Sequence, residues 1–177
     1  MKKDRKMVQE EQEQIRINGT TLTEEQLAEI ESTYGVRPVF GDYWYDGQSG
    51  LYGLVGQFSA GFMLPGHEFG ALARDASAGT TGIIVNGREL PQLEWMLWSQ
   101  MLGSPIIPGS YWLDHNGNAG YEGNPNPVVN LLMAAQQQTA GGGSNIWSTR
   151  FSSGNFDSGN QRGYVSVPGH GPIGYGF

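Results

Sequence analysis

The chain has no cysteine. Disulfides, thiolate zinc sites, iron–sulfur clusters and cysteine nucleophiles are therefore excluded together. Lysine is almost as scarce: Lys2, Lys3 and Lys6 are the whole supply, and beyond residue 16 five arginines face 13 acids. Phosphate-tracking proteins need clustered cations, so the body is not expected to bind nucleic acid. No apolar run approaches the roughly 18 residues that would suggest a transmembrane segment. The N-terminus (MKKDRKMVQEEQEQIR) turns to Glu and Gln where a signal peptide would be apolar, so a cytoplasmic location is expected, non-classical export aside.

What is abundant is glycine, 28 of 177 residues, and much of it recurs in register. At an offset of 68, Asn18-Gly19 matches Asn86-Gly87, Leu22 matches Leu90, Gly35 matches Gly103, and Gly41-Asp42-Tyr43-Trp44-Tyr45-Asp46 matches Gly109-Ser110-Tyr111-Trp112-Leu113-Asp114. The offset then falls to 67, pairing Gly50, Gly53 and Gly56 with Gly117, Gly120 and Gly123. Such self-similarity marks an internal duplication. It divides the chain into a charged arm (1–16), a duplicated body (17–138) and a Gly/Ser/Asn-rich arm (139–177). Within the body lie unit one (17–56), connecting loops with one strand (57–83), unit two (84–123) and a helix (126–138).

Each unit reads as strand, helix and β-hairpin. Ile15-Arg16-Ile17 and Ile83-Ile84-Val85 run into Asn-Gly, which accepts positive φ and favours a type I′ reversal. Thr23 with Gln26 three positions on forms a capping box, Leu27, Ile30 and Tyr34 make one helical face, and Gly35 supplies the left-handed cap. In unit two Pro91 suits the first helical turn and Trp95, Trp98 and Leu102 fall at the matching places. That helix is apolar nearly all round, so it is either sandwiched in the core or half of an oligomer interface. Tyr-Trp-x-Asp followed by a turn and a glycine every third residue predicts a hairpin with aromatic rings lying over glycines. Asn126 as cap and Pro127 in the first turn predict the helix that follows unit two. The fold class expected is α+β: two pseudo-symmetric strand–helix–hairpin units in one small, mostly antiparallel domain, with flexible N- and C-terminal arms.

Three functional readings compete. In the first, the body is a non-catalytic interaction or assembly protein that contacts itself or a protein partner, through Trp95, Trp98 and Met101 on the apolar helix and through a sticky C-terminal arm carrying Tyr175 and Phe177. In the second, Tyr43, Trp44, Tyr111 and Trp112 offer flat faces to a glycan while Asp46 and Asp114 take its hydroxyls. Alternation along a strand lets only one member of each Tyr/Trp pair line such a site. In the third, the paired Asp46 and Asp114, or a His67–Ser77 loop, serve a hydrolase. A turn role explains both aspartates without chemistry, and the serine lacks a nucleophile-elbow context. Catalytic residues, cofactors and metal ligands are therefore expected to be none; the histidines His67, His115 and His170 match no ligand spacing.

Tyr43-Trp44-Tyr45-Asp46 with Ser49-Gly50 and Gly53, Asp75-Ala76-Ser77, Asn86-Gly87-Arg88-Glu89-Leu90 and Tyr111-Trp112-Leu113-Asp114 together resemble a set of uncharacterised bacterial proteins with the same duplicated pattern. The resemblance covers roughly residues 17–131 and implies no particular activity. The aromatic-then-glycine hairpin alone is similar to choline-binding and other cell-wall repeat modules, a likeness of architecture.

Overall fold

A computed structural model of the chain describes residues 13–139, 163–166 and 172–175. Unit one begins with β1 (Ile15–Ile17) and β2 (Thr20–Thr21), continues through helix α1 (Glu24–Tyr34), and closes with β3 (Gly41–Tyr45), β4 (Leu51–Leu54) and β5 (Gly61–Phe62). Unit two repeats the series as β6 (Ile83–Val85), β7 (Arg88–Glu89), α2 (Gln92–Leu102), β8 (Gly109–Leu113), β9 (Asn118–Tyr121) and β10 (Val129–Asn130). The sheets have the same order, β2-β1-β3-β4-β5 and β7-β6-β8-β9-β10. In each, the strands on either side of the helix pair in parallel, Ile15 opposite Gly41 and Ile83 opposite Gly109. Every other pairing in these two sheets is antiparallel. The architecture is α+β, as expected.

The duplication runs further than residues 56 and 123. The Ala60 amide donates to Tyr52 and the Met63 amide to Gly50, just as Val128 donates to Ala119 and Leu131 to Gly117. The offset has thus returned to 68: the residue missing from the second hairpin turn is made up before the fifth strand. That fifth strand explains why the helix expected over 126–138 begins late. Val129 and Asn130 pair with β9, and helix α3 (Leu131–Thr139) starts only where Asn130 Oδ1 accepts the Met133 amide at 2.9 Å. Asn130, not Asn126, is the cap.

The local signals act as read elsewhere. Asn18 and Asn86 both sit at φ 51° ahead of a glycine, the geometry of the type I′ turn. Thr23 accepts the Gln26 amide at 3.2 Å and Gln26 Oε1 accepts the Thr23 amide at 2.9 Å, closing the capping box. Pro91 lies one position earlier than expected, as the extended N-cap residue of α2 and not in its first turn. Rings do lie over glycines: a Cβ on Gly53 would stand 2.9 Å from the Trp44 ring, and one on Gly120 would stand 2.9 Å from the Trp112 ring.

Packing is where the units part. Across one face of the first sheet, α1 and the chain after β5 enclose Ile15, Ile17, Ile30, Tyr34, Tyr45 and Phe69 in one core. The opposite face, carrying Trp44, Leu51 and Phe62, belongs to a second core shared with α2, α3 and the strands of unit two. Both faces of sheet one are therefore covered. Within the C-terminal arm, β11 (Gly163–Ser166) and β12 (Pro172–Tyr175) form an antiparallel ladder, with β11 close to β5. The charged stretch 1–12, Phe177 and the Tyr175 side chain lie outside the described residues.

Candidate functional site

Tyr43 and Trp44 are both buried, Trp44 at 1% exposure, so neither can offer a ring to a ligand. This takes Tyr43 and Trp44 out of the glycan reading, and the cause is the double covering of sheet one. In unit two Tyr111 and Trp112 are each half-buried on opposite sheet faces. The strands nonetheless fasten them in the same way. Tyr43 donates to Val39 O at 2.9 Å as Tyr111 donates to Ile107 O, and Trp44 Nε1 donates to Gln57 O at 3.2 Å as Trp112 Nε1 donates to Asn124 O at 2.6 Å.

The aspartates are turn residues. Asp46 is buried and accepts from the Gln48 amide (3.0 Å), Ser49 Oγ (2.6 Å) and, across the units, Asn86 Nδ2 (2.7 Å). Asp114 accepts the Asn116 and Asn118 amides, both at 2.9 Å. A carboxylate so enclosed does not work as half of an acid/base pair, which corrects the hydrolase reading of Asp46. His67 and Ser77 do not form a set either: they sit in separate hydrogen-bond networks. The Leu64 amide donates to Tyr34 Oη at 3.0 Å, and the same oxygen is hydrogen-bonded to His67 Nε2. Burial lowers the His67 pKa from the usual 6.5, with Glu29 opposing. Tyr45 donates to Leu64 O, and burial pushes its pKa up to about 12.

Ser77 belongs to a network that sequence reasoning did not single out. The Arg88 guanidinium grips Glu94 with two bonds of 2.8 and 2.9 Å, donates to Ser77 Oγ at 2.8 Å, and lies 3.9 Å from the Trp44 ring centroid. Ser59 Oγ donates to Glu94 at 2.7 Å. All of these side chains are buried, and unit one supplies Trp44 while unit two supplies the ion pair. The arrangement is a bidentate ion pair with a cation–π contact, and it joins the units. One signal was present: Glu94 is the only charged residue in a largely apolar helix. Among the described residues no group of three His, Asp or Glu is placed to hold a metal ion.

Trp98 and Met101, expected on an interface, are core residues; Trp95 is half-buried with Nε1 donating to Ile106 O at 3.0 Å. The apolar face that α2 does expose carries Leu93, Met96 and Leu97. A cavity of about 260 Å³ lies between the α2-facing side of the second sheet, the end of α2 and the segments around Ile107 and Val128. Ile107 is 70% exposed at its rim, and Tyr121 and Val128 are 53% exposed. The matching region of unit one is filled. Where unit two has Leu102, Leu113 and Ala119, unit one has Tyr34, Tyr45 and Tyr52, all buried.

With this geometry in view, comparison with known proteins places the chain beside two plant proteins. It is 29% identical over 135 residues to extra-large guanine nucleotide-binding protein 2 of Arabidopsis thaliana, a match over 71% of this chain and 15% of that protein. It is 30% identical over 123 residues to extra-large guanine nucleotide-binding protein 1 of the same plant, over 64% of this chain and 13% of that protein. The chain thus spans only about a seventh of the relatives it matches. No family model and no solved structure matches it. Among the described residues no helix is long and apolar enough to cross a membrane.

Proposed function

We propose that the chain is a non-catalytic interaction protein whose duplicated body associates with a second copy or a protein partner through unit two. The observation that carries this is the apolar outer face of α2, set against the polar outer face of α1. Leu93, Met96 and Leu97 are exposed on α2, where α1 has Glu25, Ala28 and Glu29 at the matching positions; the large apolar residues that unit one exposes, Val39, Phe40, Leu54 and Val55, lie outside its helix. Contiguous exposed apolar residues of this kind mark association surfaces. The relatives are guanine nucleotide-binding by name. The match covers 15% and 13% of their lengths, and the Gly-Lys-Ser/Thr of a Gly-rich phosphate loop has no counterpart in this chain, whose last lysine is Lys6.

Sedimentation velocity on the full chain tests the proposal. Concentration-dependent association that a Met96→Glu/Leu97→Glu variant abolishes is the expected result. A monomer at every concentration, together with no display-selected peptide whose binding that variant weakens, would overturn it. A glycan-binding reading is left with Tyr111 and Trp112 of unit two, since Tyr43 and Trp44 are buried and the Arg88 guanidinium lies against Trp44. Tryptophan fluorescence unmoved across a glycan panel would dispose of it.

A further inference from the structure

The cavity of unit two has an internal reference. Unit one is built on the same strand order and register, so it shows what the same backbone framework encloses when the space is full. Three phenol rings, those of Tyr34, Tyr45 and Tyr52, pack there against Ile15, Ile17 and Tyr43. In unit two the corresponding residues are Leu102, Leu113 and Ala119, and a cavity of about 260 Å³ stands between them. The largest single loss is at Ala119, which faces the fifth strand opposite Val129 as Tyr52 faces Gly61. An apolar cavity of about 150 Å³ already accommodates benzene, so this one has room for one substituted ring or two fused rings.

The walls set the chemistry of an occupant. No charged side chain lines the cavity. An ionised ligand would lose its hydration there without a counter-charge. Aromatic walls are plentiful: Trp98 lies on one side, and Tyr111 and Tyr121 lie on another with centroids 5.4 Å apart at a 34° tilt. Such rings favour edge and offset contacts with a further ring. The opening between Ile107, Tyr121 and Val128 connects the space with solvent.

We propose that the cavity between the second sheet and the end of α2 is a binding site for a small, neutral aromatic molecule of one or two rings. The molecule occupies the volume that tyrosine rings take in unit one. This site is separate from the Leu93/Met96/Leu97 face of α2, so its test is independent of self-association.

Calorimetric titration and saturation-transfer NMR on the full chain, with p-cresol and indole as probes, decide the matter. Saturable binding of both is expected, with 4-hydroxybenzoate at least about tenfold weaker because burying its carboxylate is costly. Ala119→Tyr, which rebuilds the unit-one residue, should weaken p-cresol at least tenfold while the variant still melts cooperatively. Leu113→Tyr gives the same readout from the other wall if Ala119→Tyr does not fold. The proposal is overturned if neither probe binds saturably, if 4-hydroxybenzoate binds as well as p-cresol, or if the folded variants bind like the parent. It is equally overturned if N-acetyltyrosine N-methylamide binds and free p-cresol does not, since the ring would then be recognised as part of a polypeptide.

Discussion

Unit one and unit two lay down the same five strands around the same Asn-Gly turn, but the first is closed on both sheet faces and the second keeps a cavity and an exposed apolar helix face. What they share is backbone hydrogen bonding and the few side chains that serve it: the turn asparagines, the turn aspartates and the glycines beneath the tryptophan rings. What separates them is a small number of side-chain volumes. Tyr45 against Leu113 and Tyr52 against Ala119 convert a packed core into a cavity without altering a strand pairing. The comparison shows that a duplicated framework can be held by its main chain while its packing is free to diverge.

The sharpest way to break the comparison is at the buried Arg88–Glu94 ion pair, both partners of which come from unit two. Glu94→Ala strands a buried guanidinium and should cost about 3–5 kcal/mol in denaturant unfolding. At the matching position of unit one, Gln26→Ala loses only one arm of a capping box, worth about 1 kcal/mol. Equal losses would mean that the two positions do equivalent work. Next in size, Tyr52→Ala should cost about 3–5 kcal/mol, as large aromatic truncations do. The reverse exchange, Ala119→Tyr, should stay within about 1.5 kcal/mol of the parent, because the space exists already. A penalty as large as that of Tyr52→Ala would show the two volumes are not interchangeable.

Gly53→Ala and Gly120→Ala should each cost about 1–3 kcal/mol through overpacking. Gly53 should be the worse, since Trp44 is buried against Arg88 while Trp112 is half-exposed and can shift; melting curves of the pair test that order. The smallest effect is one of pH. His67 has a lowered folded-state pKa, so below 6.5 the unfolded chain takes up a proton that the folded chain resists. Stability should therefore fall as pH drops from 6.5 through that lowered value. His67→Gln should flatten the acidic limb of the stability profile measured by urea titration.

How much of this was legible in the residues depends on range. The Asn-Gly turns, the Thr23 box, the glycine caps and the rings over Gly53 and Gly120 are local or nearly so, and the pattern announced them. The fifth strand escaped notice because Gly61-Phe62 and Val129-Asn130 share no residue type; only the equivalent bonds to Tyr52 and Ala119 expose their kinship. The same omission displaced the start of α3. Burial of both Tyr43 and Trp44 could not follow from strand alternation, which says that two faces exist but not that both are covered. The cavity was hidden for a related reason: it is a difference between Tyr and Leu or Ala at core positions, and all three are ordinary core residues.

The turn asparagines have one more consequence. Asn18 donates to Tyr45 O and accepts the Tyr45 amide, both at 2.9 Å; Asn86 does the same with Leu113, at 2.8 and 3.0 Å. A side-chain amide here impersonates a peptide group and prolongs the parallel pairing after the main chain has turned away. Its worth lies in being an amide. Exchange of that nitrogen for oxygen, the slow hydrolytic change to which Asn-Gly is prone, would turn a donor into an anion facing a carbonyl, and at residue 86 would set it against the Asp46 carboxylate as well. The chemical lifetime of two nitrogen atoms therefore bears on how long each hairpin stays fastened to its unit.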